Sequence, residues 1–233
     1  MLLIKSRHAD ILHLTFSDPS SRNAFSIRAA RELREALRKK DFSALVFEAQ
    51  GRVFCSGGHL SDYASMPSAE EGRRVNDEIR DVLHGLATLD RPTIAAVGGD
   101  AFGGGLELLS CFDMVVSAPH AMFALWQRRI GLSFGWGGGA RLEKRMGPAT
   151  LKRLSLSTQT FSAQEALEFG LVDQLVQESE FIAVATTEAA RMTKHPNEPV
   201  TVFKNFDASR EASEFNSLWW NPAHKNVLAS RKR

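Results

Sequence analysis

Two segments decide how this chain is read: Phe54-Cys55-Ser56-Gly57-Gly58-His59-Leu60 and Gly98-Gly99-Asp100-Ala101-Phe102-Gly103-Gly104-Gly105-Leu106-Glu107. Each follows an apolar run, residues 44–47 and 93–97, of the length expected for a buried strand, and each leads into residues that can begin a helix. Glycines there let a ligand approach the main chain closely, and the unpaired N–H groups of a helix start favour negative charge. Both segments are therefore candidate anion sites. A tight turn also looks like this, so neither segment alone fixes a site.

Working outward, residues 2–5 and 11–16 alternate apolar and polar character and predict a hairpin. Ser26 suits an N-cap, and Ile27, Ala30, Leu33 and Leu37 recur at helical spacing until Arg38-Lys39-Lys40 closes the segment. The polar residues 61–71 predict a mobile loop or frayed helix. Val75, Ile79, Val82, Leu86 and Leu89 form one helical stripe that ends at Arg91-Pro92. A short helix over 104–111 precedes another strand at 113–117. Beyond residue 140 the chain turns helical, with one further helix and strand at 161–170 and 171–176. Helices at 181–194 and 200–233 follow, broken at Pro196, Pro199 and Pro222. Strand, strand, helix is the recurring unit, so the class is α/β: a core over 1–175 and a helical C-terminal region over 176–233.

The 233 residues suffice for one large domain with a real core. With 29 basic and 27 acidic residues the net charge is +2, so no global field points to nucleic acid. Two local basic clusters exist: a helix edge of Arg28, Arg31, Arg34, Arg38, Lys39 and Lys40, and a tail of Lys225, Arg231, Lys232 and Arg233. Interspersed acids make these read as solvated faces. No apolar stretch approaches the roughly 18 to 20 residues of a membrane span, and the first residues lack the features of a secretion signal, so a cytoplasmic location is expected. The two cysteines, Cys55 and Cys111, are expected to remain unbridged. The seven histidines are scattered, with no spacing that would hold a metal.

In order along the chain, Asn23-Ala24-Phe25-Ser26, Phe54-Cys55-Ser56-Gly57-Gly58, Phe102-Gly103-Gly104-Gly105-Leu106-Glu107, Cys111-Phe112-Asp113, Gly137-Gly138-Gly139-Ala140-Arg141-Leu142 and Phe161-Ser162-Ala163-Gln164-Glu165-Ala166-Leu167 resemble elements of the crotonase (enoyl-CoA hydratase/isomerase) superfamily. The resemblance spans nearly the whole chain, and its order is far more specific than any one glycine motif. It implies a ClpP/crotonase-like spiral of ββα units with a helical C-terminal region that makes trimers or hexamers. The implied substrate is an acyl-CoA thioester. No cofactor is implied beyond the coenzyme A that the substrate carries.

Carried over residue by residue, the resemblance makes the N–H groups of Gly58 and Gly104 an oxyanion hole for the thioester oxygen. Each preorganised donor there is worth roughly 3 to 4 kcal/mol of barrier as charge builds on that oxygen. Arg22, Ala24, Ser56 and Gly57 would line the coenzyme A path, with Arg22 toward a phosphate. Glu107, three residues past Gly104, faces the same pocket from the first turn of its helix and matches the family's first catalytic glutamate. Gln127, beside Trp126 in the acyl pocket, stands where hydratases of the family carry a second glutamate, and a neutral amide shuttles no proton. His59 stands where the family has aspartate and reads as a structural histidine.

Three readings of the reaction follow. The first is hydration or isomerisation through a stabilised enolate. The second is decarboxylation of a methylmalonyl- or ethylmalonyl-type thioester, which needs the oxyanion hole more than a base. Residues 130–138 and Trp219-Trp220-Asn221-Pro222-Ala223-His224 resemble the family's ethylmalonyl-CoA decarboxylase branch. The third, from another class, is an RNA-binding or non-catalytic homologue.

Overall fold

A largely exposed strand and a largely buried one make the first hairpin: β1 (Leu3–His8) and β2 (Ile11–Phe16) pair antiparallel from Leu3↔Phe16 to His8↔Ile11. The computed structural model describes residues 2–177 and 179–230; of the basic tail, Arg231, Lys232 and Arg233 lie outside them. After the hairpin comes α1 (Ile27–Arg38), whose start is capped by Ser26 Oγ accepting the Ala29 N–H at 3.2 Å. Ala29, Ala30, Leu33, Ala36 and Leu37 form its buried face.

From there the chain makes three similar turns. In the first, β3 (Ala44–Ala49) and β4 (Val53–Cys55) lead to α2 (Leu60–Ala64) and α3 (Ala69–Ala87). In the second, β5 (Thr93–Val97) and β6 (Asp100–Phe102) lead to α4 (Gly104–Leu109). In the third, β7 (Met114–Ser117) and β8 (Met122–Ala124) lead through the tight helical turn Gln127–Ile130 to α5 (Gly138–Met146) and α6 (Pro148–Ser157). Then come β9 (Thr160–Ser162), α7 (Ala163–Glu168) and β10 (Gln174–Leu175). The first strand of each turn joins a six-stranded sheet ordered β1-β2-β3-β5-β7-β10, parallel after the hairpin. The second strand joins a four-stranded sheet ordered β4-β6-β8-β9. This is the expected spiral of ββα units.

The larger sheet is buried on both faces, as parallel strands usually are. Alternate residues point to opposite sides. Leu14, Leu45, Phe47, Ala95 and Val115 join the main core with α1, α3 and α4. Ile11, Ala44, Val46, Ile94, Ala96 and Val116 meet Ala185 and Ala189 of α8 (Phe181–Met192) on the other side. The first helix after residue 176 thus closes the core. Beyond it lie α9 (Val200–Lys204), α10 (Glu211–Leu218) and α11 (Pro222–Ser230), none of which has a buried residue. No helix among the described residues is long and apolar enough to cross a membrane.

One local expectation is made definite and another is corrected. Residues 61–71 take the helical alternative on either side of a short connection at 65–68: the two helices are capped by His59, whose Nδ1 accepts the Asp62 N–H at 3.3 Å, and by Ser68, whose Oγ accepts the Glu71 N–H at 3.2 Å. These caps satisfy donors that a polar stretch would otherwise leave to water. Phe161, expected in a helix, is drawn into β9 by pairing with Phe123, and Ser162 and Glu165 then form a capping box that starts α7. The residues of the smaller sheet carry no strand signal of their own, because three-residue strands are too short to show an alternation period.

Candidate active site

The smaller sheet positions the site. Cys55 of β4 is in register with Ala101 of β6, and Ala101 with Phe123 of β8. Gly58, Gly104 and Trp126 each lie three residues beyond one of these partners, so the three loops leave the sheet together at its C-terminal edge. In open α/β sheets this edge is where ligands usually bind. A cavity of about 430 Å³ opens there, and Ser56, Gly57, Gly58, Gly104, Glu107, Trp126 and Gln127 all line it. Arg22 and Ala24 do not. They stand behind the first loop, where the Arg22 carbonyl accepts the Ser56 N–H at 3.3 Å and the Ala24 N–H donates to Ser21 Oγ at 3.2 Å.

The two glycine loops touch. A Cβ placed on Gly57 would lie 3.2 Å from Phe102 O and 3.4 Å from Gly104 N. The Phe25 N–H donates to Gly57 O at 2.7 Å and holds the first loop in place. Gly104 is the first residue of α4, so its N–H has no carbonyl partner within the helix. Asn23, buried at 1% exposure, ties the preceding segment to the same region: its Nδ2 donates to Gln50 O at 2.9 Å and Val53 O at 2.6 Å.

Glu107 is buried at 2% exposure, and its carboxylate is fully engaged. Oε2 accepts N–H bonds from Trp136 at 2.8 Å and Gly138 at 3.0 Å. Oε1 accepts from the Gly135 N–H at 3.3 Å and from Gln127 Nε2 at 3.4 Å. Residues 135–138 therefore wrap this side chain. Trp126 is stacked on Phe102 with ring centroids 4.1 Å apart, and the Arg129 guanidinium covers its other side at 4.5 Å. Among the described residues Trp126 Nε1 and Gln127 Oε1 are buried without a protein partner, an unused donor and acceptor at the cavity wall.

Sequence reading did not single out Trp136, Asn76 or Tyr63, all of which line the cavity. Trp136 is a large ring set among glycines, and Tyr63 is the chain's one tyrosine, signals that could have marked them. Burial pushes the Tyr63 phenol above its ordinary value, so it remains a neutral donor. His59 caps α2 and does not line the cavity. Burial raises the Cys55 thiol to about 12 and that of Cys111 to about 11, which makes both poor nucleophiles; neither is bridged. On the basic edge of α1, Arg31 and Arg34 both bind Glu78, Arg28 pairs with Glu32 and Arg38 with Glu35.

A family model described as enoyl-CoA hydratase/isomerase matches residues 6–220. The chain belongs to the enoyl-CoA hydratase/isomerase family. Within this family, the 2,3-dehydroadipyl-CoA hydratase of Escherichia coli (strain K12) is 30% identical over 216 residues, covering 91% of this chain and 83% of that protein. The ethylmalonyl-CoA decarboxylase of Danio rerio is 27% identical over 251 aligned residues, covering 99% of this chain and 83% of its own length. In fold, the chain resembles the crystal structure of enoyl-CoA hydratase from Bacillus anthracis, with a TM-score of 0.90 at 23% identity, over 100% of this chain and 96% of that one. Enzymes of this family act on acyl-CoA thioesters.

Proposed function

We propose that this enoyl-CoA hydratase/isomerase family member decarboxylates a malonyl-type acyl-CoA, such as a methylmalonyl or ethylmalonyl thioester. The observation that carries the reading is the engagement of Glu107, whose two oxygens take four N–H donors, among them the side-chain amide of Gln127. Hydration must activate water and also deliver a proton to the α-carbon, work that two free carboxylates divide. Here the second position is Gln127. Decarboxylation needs no proton removed first. With the thioester oxygen held by the N–H groups of Gly58 and Gly104, the bond from the α-carbon to the carboxylate breaks and its electron pair enters the enolate. Carbon dioxide leaves, and a proton from water completes the product at the α-carbon. No cofactor beyond the substrate's own coenzyme A takes part. The likeness to an ethylmalonyl-CoA decarboxylase over 99% of the chain supports the same reading.

Hydration is the second reading, favoured by the 30% identity to a hydratase. Incubation with methylmalonyl-CoA and ethylmalonyl-CoA, followed by carbon dioxide release, is compared with loss of the enoyl absorbance of crotonyl-CoA. The expected result is carbon dioxide release that outpaces hydration. No release from either thioester overturns the proposal, and crotonyl-CoA hydration that outpaces any carbon dioxide release establishes the alternative.

A trimeric or hexameric assembly belongs to the same proposal. Phe203, Phe206, Phe215, Trp219 and Trp220 are more than half exposed on the C-terminal helices and their connections, an apolar surface of the kind that packs against another copy. Light scattering after size exclusion should return three or six chains; a monomer at micromolar concentration removes this part.

A further inference from the structure

Two aromatic rings press on the paired glycines from one side. A Cβ placed on Gly104 would lie 2.4 Å from Trp136 Cζ3 and 2.8 Å from its Cη2, and one on Gly58 would lie 3.2 Å from Tyr63 Cε2 and 3.4 Å from Trp136 Cζ2. Neither ring is free to swing. Trp136 Nε1 donates to Asn76 Oδ1 at 2.9 Å, and the Tyr63 hydroxyl donates to the same oxygen at 2.8 Å. Asn76 is itself anchored on α3, its Nδ2 donating to Gly72 O at 2.9 Å. Trp136 is 4% exposed and packs against Phe25, with ring centroids 5.9 Å apart. One side-chain carbonyl thus locks an indole from the loop before α5 and a phenol from α2 into a single wall.

We infer that Asn76 is a positioning residue for acyl-size selection: by fixing Trp136 and Tyr63 against the glycine pair, it restricts the site to thioesters whose acyl part is only a few carbons long. The inference rests on the acyl-thioester reading of the cavity. A thioester oxygen seated between the Gly58 and Gly104 amides puts the α-carbon and its substituent beside the indole. A rigid ring there leaves room for a short branch, and a longer chain must displace it. Displacement costs a buried ring its packing and two donors their shared acceptor. Rigidity, and not merely bulk, sets the limit, because an unpinned indole turns aside and a pinned one does not.

The test measures binding of unreactive saturated thioesters, so it does not depend on which reaction the enzyme performs. Butyryl-CoA and decanoyl-CoA are titrated calorimetrically into the wild type, Asn76→Leu, Asn76→Asp and Trp136→Phe, each first checked for a native circular dichroism spectrum. The wild type is expected to favour butyryl-CoA at least tenfold. Asn76→Leu, which removes the shared acceptor, should lower that preference by a factor of five or more, as should Trp136→Phe, which removes the pinned edge. Asn76→Asp, which keeps an acceptor for both donors but loses the bond to Gly72 O, should show a preference between those of the wild type and Asn76→Leu. A wild type that binds both lengths alike, or a preference unchanged in Asn76→Leu and Trp136→Phe, overturns the inference and leaves the thioester reading standing. A wild type that binds neither thioester overturns that reading and the inference with it. If Asn76→Leu fails to fold, Trp136→Phe against Asn76→Asp decides the matter on the same criterion.

Discussion

Gly104 is tightly constrained. It starts α4, lines the cavity, and faces an indole so close that a methyl group has no room. Gly104→Ala must move Trp136 or tilt the amide. Removing one oxyanion donor typically costs about 100- to 1,000-fold in kcat. Turnover of the malonyl thioester should fall by that order while the far-ultraviolet circular dichroism stays native. Turnover within threefold of the wild type would show that the indole gives way and the amide keeps its aim. Glu107 behaves differently under substitution. Its four donors all need an acceptor, and Glu107→Gln sets an NH₂ group among N–H groups. Leaving buried donors unpaired costs about 1 to 3 kcal/mol. The thermal midpoint should therefore drop by several degrees, and an unchanged midpoint would mean that the carboxylate does not brace residues 135–138.

Between elements, one carboxylate clasps α1 to α3. Glu78 accepts Arg31 Nε at 3.0 Å, Arg31 Nη2 at 2.7 Å and Arg34 Nη2 at 2.7 Å. Hydrogen bonds from Arg31, then those from Arg34 and the charges of both, hold the Glu78 carboxyl down at about 2. Because the folded value lies below the unfolded one, its stabilisation is complete above the ordinary glutamate range. It is lost as pH falls from about 4.5 towards 2. Both arginines are at least half exposed, so solvent and salt weaken the effect. Urea midpoints measured between pH 5 and 2 should fall less steeply in Glu78→Gln than in the wild type, and 1 M salt should narrow the difference. Parallel curves would place the acid sensitivity elsewhere.

Across the whole molecule, the C-terminal segment is held by a cation under cover. The side chain of Lys204 in α9 is 7% exposed and reaches Asp113 Oδ2 at 2.8 Å and Arg91 O at 2.7 Å. Burial lowers its ammonium, and the charge of Asp113 opposes that shift. The same Asp113 oxygen accepts the Thr93 N–H at 2.7 Å, so the contact joins α9 to the start of β5. Lys204→Met should free residues 200–230, seen as faster limited proteolysis and hydrogen exchange there, while the amides of β3 and β5 keep their protection. Unfolding of the entire chain at once would show that the segment and the sheet form one cooperative unit.

The sequence alone determined the order of the longer elements along the chain, because β2, β3 and β5 are long enough to show apolar runs and α1 and α3 show helical stripes. It also marked the two glycine-rich segments as candidate anion sites, and the resemblance to the crotonase superfamily singled out Gly58, Gly104 and Glu107 within them. Only the tertiary structure decided how these act together. The four-stranded sheet that aligns the loops is made of segments too short to carry a period. The wall of Tyr63, Asn76 and Trp136 brings together residues from α2, α3 and the loop before α5, far apart in the chain. The engagement of Glu107 by residues 135–138 and Gln127 likewise exists only once α5 has packed on α4. Hydrogen bonds between distant segments leave no local pattern, so chemistry that depends on which oxygen each donor reaches appears only when the chain has folded.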